Sequence, residues 1–268
     1  MLDIKLLIFD IDGTLIKNKS EYIDPKTVAA LKTASKNGYL QIIATGRCSY
    51  FIPPVIKDNF TNAKYYITIN GALITNGHME TLKKHPINET QFNQALNLVN
   101  KYNVALAYKF EDAVVIYRSY RDFIDVYTHG VEHPDILIDN TQSQDYHLKH
   151  GMPLGIFIIG EDETLKAMAS ECDQVNWVYA YSHAMEAFDF GVSKAEAIKT
   201  LLKELNLKPS QIMTFGDGEN DIEMLELAGV GVAMGNALDH VKAHADFVTL
   251  DCDQGGIPYA LKHFGIIE

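Results

Sequence analysis

Leu6-Leu7-Ile8-Phe9-Asp10-Ile11-Asp12-Gly13-Thr14 is the stretch around which the chain is organised. Ile4 to Phe9 is an apolar run broken only by Lys5, of the kind that fills a strand buried on both faces. It ends abruptly in two aspartates. Residues two apart on an extended chain point the same way, so Asp10 and Asp12 are expected to aim at one point. Gly13 then lets the backbone turn away with no side chain in the path. Two like charges that close repel unless a cation or a proton sits between them. A plain strand running into an Asp-Gly turn would read the same way, so the decision rests on the remaining sequence.

Working outward, Asp24-Pro25 is a helix start, a capping carboxylate followed by proline at the first helical position. Val28, Leu31 and Ala34 form its apolar stripe, and Gly38 ends it. Tyr39 to Ala44 is a second apolar strand, stopping at Thr45-Gly46-Arg47. Ser49 onward opens a short helix before Pro53-Pro54. Tyr65 to Ile69 is a third strand, stopping at Asn70-Gly71. Leu15 to Ile23 is an irregular connection or a small hairpin. Strand and helix alternating at this spacing predict parallel, right-handed crossovers.

The pattern then changes. Helices are expected at Asn88–Tyr102, Tyr120–Tyr127 and Glu163–Cys172. Strands are expected at Val104–Tyr108, Ala113–Tyr117, Leu154–Ile159, Trp177–Tyr181 and Ala184–Asp189. Residues 129–151 give no clear element. From Ser193 the alternation returns. Ser193 and Glu196 form a capping box for a helix through Leu205. Ile212–Phe215 is a strand ending in Gly216-Asp217-Gly218-Glu219-Asn220-Asp221. Helices to Ala228, at Ala237–Ala243 and at Ile257–Phe264 follow, with strands at Val230–Met234 and Phe247–Leu250. The fold class is α/β. A doubly wound, Rossmann-like parallel-sheet core is built from residues 1–82 and 185–268, with an α+β domain inserted at 83–184.

In an open parallel sheet, ligands bind at the carboxyl ends of the strands. Four expected strands end there in polar clusters: Asp10-Ile11-Asp12, Thr45-Gly46, Asn70-Gly71 and the 216–221 loop. Turn chemistry explains any one of these. It does not explain carboxylates and small hydroxyl or amide groups all falling at one edge. Asn220 could cap the following helix with Glu223 in the capping-box position, but that does not require Asp217. Asp10, Asp12, Asp217 and Asp221 together need a hard cation, and oxygen-only ligation points to Mg²⁺. Lys194 lies in the first turn of its helix, where the macrodipole disfavours a cation by ~0.3–1 kcal/mol. A bound phosphoryl group would reverse that sign. Thr45 with the Gly46 backbone suits a phosphate cradle.

Composition narrows the function classes. Among 268 residues, 47% are hydrophobic and 22% charged, as in a globular protein. A net charge of -12 argues against a non-specific nucleic-acid surface. Cys48, Cys172 and Cys252 form no Cys-x-x-Cys pattern, which fits reduced structural thiols in a cytoplasmic protein. No cleavable signal pattern and no membrane-length apolar run are present. His129, His133, His147 and His150 crowd one polar region without zinc-site spacing and are expected to be solvated loop residues. Trp177 is expected in a core, and Glu186 and Asp189 as hinge or surface acids.

Asp10-x-Asp12-Gly13-Thr14, Thr45-Gly46-Arg47, Lys194 and Gly216-Asp217-x-x-Asn220-Asp221 resemble, in order and spacing, the four motifs of the haloacid dehalogenase-like (HAD) superfamily. The insertion between the second and third motifs resembles its type-IIB capped members, the Cof-like sugar-phosphate phosphatases. Asn70-Gly71-Ala72, Gly191-Val192-Ser193-Lys194 and Ala233-Met234-Gly235-Asn236-Ala237 are similar to that subgroup too. Ala195 departs from it, where relatives often carry glycine.

The resemblance implies roles. Asp10 attacks phosphorus and forms an aspartyl-phosphate. Asp12 protonates the leaving alcohol and then takes a proton from water. Asp10, the backbone carbonyl of Asp12, and Asp217 hold Mg²⁺, with Asp221 supporting it through water or Asp217. Thr45, Gly46, Lys194, Asn220 and the Ile11 N–H hold the phosphoryl oxygens, and Arg47 and Asn70 are candidate substrate contacts. The expected protein is a cytoplasmic Mg²⁺-dependent phosphatase of a small phosphorylated metabolite, a monomer or weak homodimer, with no nucleic-acid or membrane partner. The inserted domain would select the substrate, moving on linkers near 79–83 and 184–190. A sugar-phosphate phosphomutase and a non-catalytic phosphometabolite-binding regulator remain as alternatives.

Overall fold

The computed structural model describes residues 3–17, 20, 22–60 and 63–268. In chain order the elements are β1 (Leu6–Phe9), α1 (Pro25–Lys36), β2 (Leu40–Ala44), α2 (Pro54–Asn59), β3 (Ala63–Thr68), β4 (Leu73–Asn76) and β5 (Thr81–Lys84). Next come α3 (Glu89–Tyr102), β6 (Ala105–Lys109), β7 (Val114–Arg118), α4 (Tyr120–Tyr127), β8 (Leu137–Asp139), α5 (Tyr146–His150), β9 (Gly155–Ile159), α6 (Asp162–Glu171), β10 (Asn176–Tyr181) and β11 (Ala184–Phe188). The chain ends with α7 (Lys194–Leu205), β12 (Ile212–Gly216), α8 (Ile222–Leu227), β13 (Val230–Ala233), α9 (Asp239–Lys242), β14 (Phe247–Val248) and α10 (Gly256–His263).

The chain divides into two compact units. One comprises residues 1–47, 51–83 and 193–268, and the other residues 48–50 and 84–192. The expected boundary at 184/185 falls one residue inside β11, which pairs antiparallel with both β9 and β10. The chain therefore returns to the first unit at Ser193.

The first unit carries a sheet in the order β14-β13-β12-β1-β2-β3-β4-β5. It is parallel from β14 to β3 and turns antiparallel at β4. β1 is buried on both faces, and its alternate residues divide between two cores. Leu7 and Phe9 pack with Ala30, Leu31 and Ala34 of α1 and with Ile257, Ala260 and Leu261 of α10. Leu6 and Ile8 pack with Ala197, Ile198, Leu201 and Leu202 of α7 and with Met224 of α8. That is the doubly wound arrangement, since a two-sided apolar strand needs helices on both faces. Asp24 caps α1 by accepting from the Lys26 N–H at 2.9 Å.

Three elements escape the sequence reading. Pro53-Pro54 begins α2, with proline at its first position. β4 and β5 are joined through an Asn76-Gly77 turn, in which the Asn76 side chain accepts from the N–H groups of His78 and Glu80. In the 15–23 connection, Asp12 bridges to Ile16, and residues 18, 19 and 21 lie outside the described set.

The second unit carries a sheet in the order β10-β11-β9-β6-β7-β8. One face is apolar and packs on α3 and α6 through Phe92, Ala95, Leu165 and Met168. α4 lies on the other face, with Phe123 edge-on to Phe157 at 5.7 Å. Asn88 and Gln91 form a reciprocal capping box at the start of α3. The unassigned 129–151 region holds β8 and α5, both too short to show a period.

Candidate active site

β1, β2 and β12 end side by side, so the segments that follow them meet at one sheet edge. Asp10 follows β1, its N–H donating to the Phe215 carbonyl of β12 at 3.0 Å. The residue is 5% exposed. Lys194, the first residue of α7, is also buried and donates to Asp10 Oδ1 at 2.6 Å and to Asp221 Oδ1 at 2.7 Å. Carboxylate oxygens of Asp10, Asp217 and Asp221 lie within 4.8 Å of one another.

The lysine corrects one sequence-based expectation. A cation at a helix start looks unfavourable only when the dipole is considered. Here two buried carboxylates outweigh it. Burial works against the ammonium, but Asp10 and Asp221 hold its pKa above the ordinary lysine value.

The loop after β12 is built around Asp221. Its Oδ2 accepts from the N–H groups of Asp217 and Gly218, both at 2.9 Å, and its Oδ1 accepts from Lys194. Both oxygens are thus engaged by the protein, and Asp221 braces the loop. Asn220 does not cap a helix, as α8 begins at Ile222. Its amide donates instead to Asn70 Oδ1 at 2.8 Å. Asn70 itself is left-handed, at φ 52°.

Asp10 and Asp12 have different partners within the protein, Lys194 for the first and Arg47 for the second. Asp12 is gripped by Arg47, whose Nε donates to Oδ2 at 2.6 Å and whose Nη2 donates to Oδ1 at 2.7 Å. Arg47 Nη1 is tied to the Phe51 carbonyl at 2.9 Å. Thr45 Oγ1 accepts from the Arg47 N–H at 3.2 Å, which leaves its own proton to donate elsewhere.

Two positioning groups were given no role by the sequence reading. Thr14 Oγ1 donates to Asp217 Oδ1 at 3.1 Å. Asn236 Nδ2 donates to the Gly13 carbonyl at 2.8 Å, while its Oδ1 accepts from the Cys252 N–H at 2.8 Å. The motif text around Met234-Gly235-Asn236 was the available signal. Gly13 has φ +78°, and a Cβ there would lie 2.0 Å from Asp217 Oδ2. A glycine is required at that position on both counts.

Burial pushes the Asp217 carboxyl up to about 7, with the nearby Asp221 charge adding to the effect. Asp10 is likewise pushed well above the usual carboxylate range, by burial first, with Lys194 opposing and Asp221 and Asp217 adding. Among the described residues, no histidine joins this cluster. His147 is half-buried and packs on Phe92 at 4.3 Å, while His150 stacks on Tyr146 at 3.7 Å and stays exposed; both lie in α5.

A family model described as haloacid dehalogenase-like hydrolase matches residues 7–261. The chain belongs to that family. YkrA of Bacillus subtilis (strain 168), which carries a provisional phosphatase name, is 30% identical to this HAD-like hydrolase over 278 residues, spanning 100% of both chains. The 5-amino-6-(5-phospho-D-ribitylamino)uracil phosphatase YcsE of the same organism is 26% identical over 267 residues, covering 98% of this chain and 96% of its own. Among solved structures, the HAD phosphatase BT1666 of Bacteroides thetaiotaomicron superposes with a TM-score of 0.86 at 28% identity, covering 98% of this chain and 96% of that one. The subclass IIB sugar phosphatase BT4131 also gives 0.86 at 28% identity, with 98% and 100% covered. This HAD-like hydrolase is a phosphatase. Among its described residues, no helix is long and apolar enough to cross a membrane.

Proposed function

We propose that this phosphatase hydrolyses phosphate monoesters of small metabolites, sugar phosphates foremost, with Mg²⁺ and through an aspartyl-phosphate on Asp10. The observation that carries the reading is the Asp10 carboxylate held by Lys194 at 2.6 Å, two residues from a second carboxylate with its own separate support. A site for binding alone has no use for an acid–base partner next to its nucleophile.

The residues fit a hard divalent cation. Three carboxylates crowd one point against one paired ammonium, and burial, with the Asp221 charge adding, raises the Asp217 carboxyl to about 7. An all-oxygen donor set suits Mg²⁺. Asp10, Asp217 and the Asp12 backbone carbonyl would hold it, with Asp221 bracing the loop. What Mg²⁺ supplies when bound is charge neutralisation between an anionic nucleophile and an anionic phosphoryl group.

The residues then divide the reaction. Asp10 Oδ2 attacks phosphorus as the ester P–O bond breaks, and Asp12 gives its proton to the leaving oxygen. Lys194 offsets the charge on Asp10 throughout. Asp12 next takes a proton from water, and the water oxygen attacks phosphorus. The bond from phosphorus to Asp10 breaks, phosphate leaves, and Asp12 holds a proton for the next cycle. Thr45, the backbone of Gly46 and Ile11, and Asn220 hold the phosphoryl oxygens. These groups see only the phosphoryl end of a substrate. Discrimination of the leaving group therefore falls to residues 84–192, and the sugar phosphatase likeness supports a polyol leaving group.

The test is phosphate release across a panel of sugar phosphates and other phosphate monoesters with Mg²⁺, paired with borohydride reduction of acid-quenched enzyme. Reduction should convert Asp10 to homoserine. Phosphate release with no modified residue at position 10 would overturn the covalent route. No release from any panel member would overturn the substrate class.

A further inference from the structure

β3 returns into β4 through residues 69–72, with Thr68 paired to Leu73. The Ala72 N–H donates to the Ile69 carbonyl at 3.0 Å, and φ is positive at both residues between, 52° at Asn70 and 106° at Gly71. A tight hairpin turn asks for positive φ at its central positions, and Asn-Gly supplies it readily. The turn does not account for Ile69. Its φ is 51°, and it is fully buried. A β-branched residue keeps that conformation only where its surroundings hold it there.

Those surroundings are the groups proposed to hold the phosphoryl oxygens. The Ile69 N–H donates to the Arg47 carbonyl at 3.0 Å and the Asn70 N–H to the Thr45 carbonyl at 3.1 Å, so the 45–47 loop is laced to the turn at both ends. The Asn70 side chain is buried and accepts from the Asn220 amide at 2.8 Å. It also lies against Gly46, where a Cβ would come within 3.1 Å of Asn70 Oδ1. A Cβ on Gly71 would lie 2.2 Å from the carbonyl oxygen of Ser193, the residue before Lys194. The loop after β2, the loop after β12 and the start of α7 thus take their spacing from one turn.

We infer that Asn70 is a positioning residue for phosphoryl transfer, and that the 69–71 turn sets the spacing of Thr45, Gly46, Asn220 and Lys194 around the phosphoryl group. This rests on the roles proposed above for those four residues. The phosphoryl group is common to every substrate, so Asn70 acts on all of them alike.

The test measures kcat/KM for several sugar phosphates and for p-nitrophenyl phosphate, with inhibition by inorganic phosphate as the gauge of phosphoryl affinity. Asn70→Gly leaves the left-handed backbone accessible and removes only the side chain. It should lose about 3–10-fold on every substrate, the size of one net hydrogen bond, and leave their ranking unchanged. In an Asn220→Ala background the same change should cost less than in the wild type, because the two amides act through one contact. Gly71→Ala pushes on the start of α7 and should lose about 100-fold, the effect of a misplacement of about 1 Å. Circular dichroism checks the fold of each variant. Losses confined to particular leaving groups would overturn the inference and make Asn70 a substrate contact. Wild-type rates in Asn70→Gly, its failure to fold, or full additivity with Asn220→Ala would overturn it as well. Thr45→Ala and Asn220→Ala variants that bind inorganic phosphate as the wild type does would instead overturn the roles on which it rests.

Discussion

Arg47 clamps Asp12 with two nitrogens on two oxygens, at 2.6 and 2.7 Å, while a third nitrogen anchors the guanidinium to the Phe51 carbonyl. Such fork-to-fork pairing fixes the plane of the carboxylate as well as its distance. In the proposed mechanism Arg47 positions Asp12 for proton transfer. Arg47→Lys cannot reproduce the fork. It should lower kcat by about 10–100-fold with KM little changed, the worth of one charged hydrogen bond. A raised KM with normal kcat would make Arg47 a substrate contact instead.

Asp10→Asn keeps the shape and removes the proposed nucleophile, so turnover should vanish. Asp12→Asn should lose about 10²–10⁴ in kcat, the usual worth of a positioned acid–base group. Metabolite phosphatase assays on both variants, with circular dichroism to verify folding, provide the check. Surviving turnover in the Asp10 variant would place the nucleophile elsewhere.

Lys194→Met should abolish activity and also destabilise the metal-free protein. The dipole alone argues that losing this cation is harmless. The observed pairing argues the reverse, because two buried carboxylates would be left uncompensated, at about 3–5 kcal/mol for a broken buried pair. A urea melt in chelator decides between them, an unchanged midpoint favouring the dipole.

Asp217 predicts how pH and metal interact. Its pKa is raised from 3.8 to about 7 on folding, so the folded protein holds a proton that the unfolded chain releases. The stability this contributes is complete below 3.8 and is lost as pH rises through about 7. Asp10, raised by burial, acts in the same direction. In chelator, melting temperature should therefore decline toward about pH 8, and Asp217→Asn should flatten the decline. Added Mg²⁺ should stabilise more at about pH 8 than at about pH 5, because ligation needs the carboxylates deprotonated. Equal Mg²⁺ shifts at both values would count against Asp217 as a ligand.

The core and its acidic loops were legible because their signals are local. A two-sided apolar strand, an Asp-Pro cap and turn residues at strand ends each lie within a few positions. Asp10, Lys194, Asp217 and Asp221 could be gathered because every one sits at the end of a strand or the start of a helix. The pairing of Arg47 with Asp12 was not legible, because it depends on where the chain leaves β geometry after Phe9. Lys109 and Glu186 form a buried ion pair in the second unit, so Glu186 is neither a hinge nor a surface acid. They were invisible for a different reason. Each is a single charge in a short strand, and only the placement of β9 between β6 and β11 makes them neighbours. The β4–β5 hairpin did carry a local signal, the Asn76-Gly77 dipeptide, which went unread.

The first unit is assembled from separated stretches of chain, and this imposes an order of events during synthesis. β1 finds β2 early, but its other neighbour is β12, and Asp10 meets Lys194 across 184 residues of sequence. Most of the second unit is one unbroken stretch, 84–192, and is synthesised before Lys194. Domains tend to fold as units while the chain emerges. A nascent chain therefore carries Asp10 from the tenth residue onward, long before the 216–221 loop that its site includes. Any product truncated before that loop holds Asp10 without Asp217 and Asp221, so the carboxylate cluster exists only in a chain carried past the loop.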